Sequence, residues 1–358
     1  MKKLLSFSLL LFVAFNNFGQ SSQKKFPKNI IFLIGDGMGV SQIYAGLTLN
    51  KGELALERIR HIGFHKNQSS DNYVTDSAAG ATAFSIGQKT YNGAIGVDAT
   101  QMAHPTLLEM AEKKGLATGL VSTADITDAT PAAFIAHQIK RNMHDEIAKD
   151  FLKTDVDIVV GGGRKSFDQR KDGQNLLDSL RAKKYQVVES DAEMNSIKQG
   201  KFVYLYAPGD PKKIIEGRGD VLLDASKKSF EILSKNKKGF FVMIEGGQID
   251  WGGHANDANY AATEMVDFNK TIEAALNFAE KDKETLVVIT ADHETGGMAL
   301  LGGDMAKGEI KASFITKGHT GQMVPVFAFG PGSEAFQGIY PNTAIFDKMK
   351  AALRLSQK

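Results

Sequence analysis

Short apolar runs ending in glycine or polar residues recur along the chain: Asn29 to Ile34, Ala117 to Val121, Asp157 to Val160, Phe240 to Ile244 and Thr285 to Ile289. Their β-branched content and length predict buried parallel strands. Helical patterns alternate with them. Thr106 to Lys114 is stopped by Gly115, and Ala261, Met265, Phe268, Ile272, Ala275 and Ala279 recur at spacings of four and three. Strand and helix in alternation predict an α/β fold, a doubly wound and mostly parallel central sheet with helices on both faces. Arg164 to Lys238 is polar and lysine-rich, with Pro208-Gly-Asp-Pro211 and Gly217-Arg-Gly-Asp220 as turn signals, and reads as peripheral helices and loops. Gly296 to Gly318 reads as a loop over a site or a small hairpin.

The 358 residues carry 43 basic and 41 acidic side chains, a net charge of +2. That balance gives no field that implies nucleic acid or a membrane surface as a partner, so any anion specificity must be local. Lys2 and Lys3 precede a twelve-residue apolar stretch, Leu4 to Phe15, and the small and polar segment ending Phe18-Gly-Gln-Ser-Ser22. This is the pattern of a secretory signal over residues 1–20, too short to serve as a spanning anchor. The expectation is a periplasmic or secreted protein with one catalytic domain over 21–358. No cysteine is present. Disulfides, thiolate ligands, a cysteine nucleophile and lipid attachment to cysteine are therefore excluded, and every metal ligand must be nitrogen or oxygen.

Candidate chemistry gathers where the predicted strands end. Glu245-Gly-Gly-Gln-Ile-Asp250-Trp-Gly-Gly-His254 follows Phe240 to Ile244, and open α/β sheets place ligands beyond the carboxyl ends of their strands. Asp250 and His254 stand one helical turn apart, so both can face one ion, although this spacing also suits a surface pair. Asp36, between Gly35 and Gly37, is either a ligand or a turn residue. Asp292 and His293 leave Thr285 to Ile289 together; Asp292 alone would pass as a helix cap. His319 sits in Gly318-His319-Thr320-Gly321. Ser77, in Thr75-Asp76-Ser77, opens a small-residue helix as a plain N-cap or as a nucleophile at a phosphate-binding helix terminus. No G-x-S-x-G elbow surrounds it, which argues against acyl transfer. Thr130, before Pro131, is equally a helix cap.

Gly35-Asp36-Gly-Met-Gly39, Thr75-Asp76-Ser77-Ala-Ala79, Asp128-Ala-Thr130-Pro-Ala-Ala133, Gly161-Gly-Gly-Arg-Lys165, Glu245 to His254, Ala291-Asp292-His293 and Gly318-His319-Thr-Gly321 occur in this order between about Asn29 and Pro331. Together they resemble the alkaline phosphatase family. The resemblance implies hydrolysis of phosphate monoesters through a phosphoserine on Ser77, with two inversions giving retention at phosphorus. Arg141, eleven residues after Thr130, becomes the residue that grips phosphate, ending the helix begun by Pro131, with Asp76 orienting it and Asp128 also on the substrate side. One zinc ion is implied at Asp250, His254 and His319. A second falls at Asp36, Asp292, His293 and deprotonated Ser77, and magnesium at Asp36, Thr130 and Glu245. The chemistry of these sets agrees, since His/Asp groups suit zinc and oxygen-only groups suit magnesium. Three divalent ions and Arg141 against these carboxylates and an alkoxide leave a local charge of about +2, matched to a phosphate dianion.

Two rivals remain open at this point: a phosphodiesterase of the same superfamily, and a periplasmic metal- or phosphate-binding protein without turnover. Sulfatases are set aside because no C/S-x-P-x-R motif occurs. The chain departs from the family in lacking disulfides, in its short His293 to His319 spacing, and in Trp251. Relatives more often carry lysine or histidine there, contacting phosphate through water. A homodimer is the family expectation.

Overall fold

The computed structural model describes residues 26–355, so the expected leader lies outside the described residues. The strands are β1 (Asn29–Gly35), β2 (His61–Lys66), β3 (Ala117–Asp125), β4 (Ile158–Gly162), β5 (Gln186–Val188), β6 (Phe202–Leu205), β7 (Phe240–Gly246), β8 (Thr285–Thr290), β9 (Glu294–Thr295), β10 (Ala299–Asp304), β11 (Glu309–Ser313), β12 (His319–Thr320), β13 (Val324–Phe329) and β14 (Gly338–Pro341). Ten of them form one sheet in the order β14-β2-β13-β8-β1-β7-β3-β4-β6-β5. Only β13 runs against its neighbours, β2 and β8. The doubly wound, mostly parallel sheet is therefore as expected.

Period-two alternation delivers the β1 side chains to both faces. Ile30, Phe32 and Ile34 enter one core layer with Phe241 and Met243, while Ile31 and Leu33 enter the other with Phe240, Val242 and Ile244. Each layer is closed by amphipathic helices. Leu107–Lys114 contributes Leu107, Leu108 and Ala111 to the first. It begins with a capping box between Thr106 and Glu109 and ends at Gly115 with φ +82°, the left-handed turn that glycine adopts without strain. The 25-residue helix Ala258–Asp282 lays Met265, Phe268, Ile272, Ala275 and Ala279 on the second.

The stretch from Arg164 to Lys238 corrects the sequence expectation. It holds helices and loops, and also β5 and β6, which form one edge of the central sheet. Gly296 to Gly318 contains the β10–β11 hairpin. No helix among the described residues is long and apolar enough to cross a membrane.

Register explains where chemistry can collect. Ile34 pairs with Glu245 on β7 and with Thr290 on β8, and Ser122 of β3 also stands against Glu245. Asp36, Glu245 and Asp292 thus emerge together at the carboxyl ends of adjacent central strands.

Candidate active site

Ser77 is the first residue of the helix Ser77–Ile86, and Asp76 is its cap: the Asp76 Oδ1 accepts from Ala79 N at 2.9 Å. The plain N-cap alternative for Ser77 therefore falls, and its hydroxyl is left for other contacts. Ser77 is buried, with Oγ 3.2 Å from His293 Nε2. Small residues let this helix approach the strand ends. A Cβ on Gly80 would sit 3.0 Å from the Asp292 Cβ. Phe84 anchors the far turn edge-on against Phe32 of β1, with ring centroids 5.7 Å apart.

Three imidazoles converge beside it. His254 Nε2 lies 3.2 Å from His319 Nε2 and 3.2 Å from Asp250 Oδ2, and His319 Nε2 is 3.6 Å from Asp250 Oδ1. His293 Nε2 lies 3.3 Å from Asp292 Oδ2 and 3.5 Å from Asp36 Oδ1, and its ring stacks on His319 at 3.6 Å. Asp250, His293 and His319 form one compact set of donor atoms, and Asp36, Asp292 and His293 another. Asp250 and His254 reach one point because the helix Gln248–His254 places them one turn apart.

The outer nitrogens decide which ring atoms face inward. His254 Nδ1 donates to the Lys317 carbonyl at 2.5 Å and His319 Nδ1 to the Thr75 carbonyl at 2.9 Å. A carbonyl only accepts, so both Nδ1 atoms carry hydrogen, and in the neutral rings Nε2 keeps the lone pair that could bind a cation. Thr295 Oγ1 lies 3.2 Å from His293 Nδ1 and donates to Asp250 Oδ1.

Electrostatics show a centre short of positive charge. Burial, then the charges of Asp292, Asp250 and Glu245, push Asp36 well above the usual carboxylate range. Burial raises Glu245 to about 8 against the 2.5 Å hydrogen bond from Ser122, and burial with Asp250 raises Asp292 to about 7. Burial opposes charge on Asp250 too, but the His254 hydrogen bond and the neighbouring imidazoles bring it down to about 2. That carboxylate pushes His254 up to about 9, so any cation at Nε2 would have to displace a proton. Burial drives His293 well below its ordinary value. Asp36 Oδ1, Asp292 Oδ2 and Thr130 Oγ1 are buried with no hydrogen-bond partner among the described residues. Buried oxygens are rarely left so, and cations are the groups this donor set lacks.

Thr130 is the second residue of the short helix Ala129–Ala132, whose N-cap is Asp128; the cap alternative for Thr130 fails. Arg141 corrects another expectation. The helix stops at Ala132, and Arg141 lies beyond it with its N–H on the Gly93 carbonyl at 2.7 Å. Its guanidinium still reaches the site, donating to Asp76 Oδ2 at 3.4 Å and Asp128 Oδ1 at 3.0 Å. Burial opposes its charge, but Asp128 and Asp76 more than offset this and raise it above its ordinary value. Asp76 thus caps with one oxygen and holds Arg141 with the other. Asp292 caps no helix; it accepts from the N–H groups of Gly37 at 3.3 Å and His293 at 3.1 Å. Trp251, half-buried, follows Asp250 on its helix.

Sequence reasoning passed over Ser122, Glu294 and Thr295. Two carried a readable signal: Ser122 directly follows the apolar run Ala117 to Val121, and Thr295 stands two residues after His293. The carbonyls of Thr75 and Lys317 carried none, because every residue has one.

The family model for alkaline phosphatase matches residues 27–313. Alkaline phosphatase 3 of Bacillus subtilis (strain 168) is 35% identical in an alignment covering 100% of this chain and 98% of that protein. Alkaline phosphatase of Escherichia coli (strain K12) is also 35% identical, over 94% of this chain and 88% of that one. The solved alkaline phosphatase from the Antarctic bacterium TAB5 superposes with a TM-score of 0.88 at 41% identity, covering 94% of this chain and 100% of its own. A histidine-to-aspartate mutant of that enzyme has Mg bound in its M3 site. Motif order, site geometry and full-length similarity agree: this chain belongs to the alkaline phosphatase family and is a metal-dependent hydrolase of phosphate monoesters.

Proposed function

We propose that Ser77 is the nucleophile of this hydrolase and that Arg141 holds the phosphoryl group it attacks. The observation that carries the reading is the placing of Ser77 Oγ 3.2 Å from His293 Nε2, beside imidazoles whose Nδ1 atoms are tied to carbonyls. Two zinc ions fit Asp250, His254 and His319, and Asp36, Asp292 and His293 with Ser77; magnesium fits Asp36, Thr130 and Glu245. Bound there, cations lower the pKa of hydroxyl and water oxygens and neutralise charge developing on the phosphoryl group. Ser77 attacks phosphorus in line, displacing the alcohol and forming phosphoserine, and water then displaces phosphate from Ser77. The helix N-terminus behind Ser77 favours the negative phosphoryl oxygens. Arg141 takes two equatorial oxygens with its fork, its plane held by Asp76 and Asp128.

A dianion suits this charge balance better than a diester monoanion. The test is the rate on paired aryl monoester and diester substrates, with metal analysis of the same sample. Monoester preference with bound zinc and magnesium is expected; faster diester turnover would overturn it.

Arg141→Lys should lower kcat/KM by about 10- to 100-fold, because a point charge replaces a bidentate fork whose charged hydrogen bonds are worth ~1.5–3 kcal/mol each. Steady-state kinetics within about twofold of wild type would remove Arg141 from this role. For Trp251, the resemblance suggests weaker phosphate retention and faster product release than with lysine. Trp251→Lys is expected to tighten inhibition by inorganic phosphate about 10-fold; an unchanged inhibition constant counts against this.

The Lys2 to Phe15 pattern supports export to the periplasm or medium after removal of residues 1–20. A sheet whose strands come from β1 through β14 supports one catalytic domain over 21–358. The homodimer rests on the family resemblance.

A further inference from the structure

Glu294 follows His293 directly, yet none of the roles above uses it. Its side chain is buried, and its four hydrogen-bond donors are all uncharged. Gln42 Nε2 at 2.9 Å and Met298 N at 3.0 Å donate to Oε1, while Gly297 N at 3.2 Å and Thr320 Oγ1 donate to Oε2. A buried carboxylate is tolerated only when its lone pairs are satisfied in this way.

These donors come from three segments, two of which also share an apolar contact between Ala45 and Met298. Gln42 lies on the helix Val40–Leu49 that follows the Asp36 loop, and its amide also donates to the Thr295 carbonyl at 2.8 Å. Gly297 and Met298 form the turn after β9, and Thr320 is the neighbour of His319 on β12. β12 pairs with β9 through only two residue pairs, His319 with Thr295 and Thr320 with Glu294. Backbone bonds between Gly296 and the Ile315–Gly318 segment and the His319 Nδ1 bond to Thr75 extend this short ladder, but the carboxylate of Glu294 is what joins it to the helix Val40–Leu49. The absence of a side chain at Gly39 admits the carboxylate, since a Cβ there would collide with the Glu294 Cγ.

We propose that Glu294 is a positioning residue. It clamps β12 to the helix behind Asp36, sets His319 Nε2 against Asp250 and His254, and so sets the affinity of that group for its cation. This rests on the reading of His319 as a metal ligand.

The experiment uses the full chain loaded with zinc and dialysed against graded chelator, with zinc per chain and the melting curve recorded. Glu294→Gln turns an amide N–H toward N–H donors, and should weaken retention of one zinc by about 10- to 100-fold, with the second kept. Thr320→Val deletes only the hydroxyl link and should weaken the same zinc to a smaller extent; Thr320→Ser should restore it. The Thr320 pair decides the matter if Glu294→Gln does not fold. His319→Ala is the reference and should lose that zinc. If His319→Ala loses it while Glu294→Gln and Thr320→Val hold it as wild type does, the clamp is overturned and the ligand reading stands. If His319→Ala keeps both ions, the ligand reading falls and the clamp with it. Equal loss of both ions in Thr320→Val would mean general loosening and would also overturn the clamp.

Discussion

Ser77→Ala is expected to lower phosphomonoester turnover by at least about 10³-fold while leaving the fold and the bound metal largely intact. The separation of effects follows from the local structure. The helix cap is Asp76, through Ala79 N, so removing the Ser77 hydroxyl leaves the cap in place. The hydroxyl's one hydrogen-bond contact among the described residues is with His293 Nε2, and alanine is the best helix former at the position vacated. What disappears is the oxygen proposed to attack phosphorus. Residual hydrolysis would come from direct attack of water on a substrate still held by Arg141 and the cations. A variant turning over at the wild-type rate would remove Ser77 as nucleophile.

Removing the cations should abolish activity and lower the melting temperature, and the melting difference between loaded and stripped protein should widen from about pH 6.5 to pH 9. Glu245 and Asp292 sit at about 8 and about 7 and Asp36 is raised well above its ordinary value, by burial first and then by neighbouring carboxylates: Asp128 and Asp292 act on Glu245, Asp250 on Asp292, and Asp292, Asp250 and Glu245 on Asp36. Carboxyls raised on folding take up protons. The stripped protein is therefore free of their penalty in acid and loses stability as pH rises through about 7 and 8. His254, raised to about 9 by Asp250, contributes stability that is full below its unfolded pKa and lost through about 9, in the same direction. His293 is lowered, so its effect falls below about pH 6.5, outside this window. Asp250, lowered to about 2, changes only in strong acid. Cation binding gains over the same range because the ligands must be deprotonated. Each pKa unit is worth about 1.4 kcal/mol. Melting curves in excess chelator that match the loaded protein at pH 8, or a difference that narrows with pH, would contradict this. With no cysteine available for cross-links, packing and metal are the stabilising elements left.

The central strands and the clustered carboxylates and imidazoles were legible in the sequence for one physical reason: both depend on side-chain type. β1, β4, β7 and β8 are buried on both faces and read as apolar runs, and β3 does so in part, with Thr118, Ser122 and Thr123 among its buried residues. Asp36, Glu245, Asp292 and His293 stand just where such runs stop. The sheet's edges were less legible. β5 is three residues long with an exposed glutamine, and β2, one strand in from the other edge, reads His-Ile-Gly-Phe-His-Lys with Ile62 exposed and His65 buried, so pairing with neighbours rather than composition makes them strands. Arg141 shows the limit of spacing. Eleven residues after Thr130 was the right distance to the site, but the chain leaves its helix at Ala132 and is pinned by the Gly93 carbonyl instead. The hydrogen bonds that orient His254 and His319 end on backbone carbonyls, which no residue type announces.

Acid-quenching the metal-loaded enzyme during turnover of a phosphomonoester, followed by digestion and peptide mass analysis, reads the reaction at its defining atom. One phosphoryl group on the peptide carrying Ser77 is predicted, absent from Ser77→Ala and from the chelated enzyme. Sustained turnover with no phosphorylated peptide, or a phosphoryl group on any other residue, would contradict it.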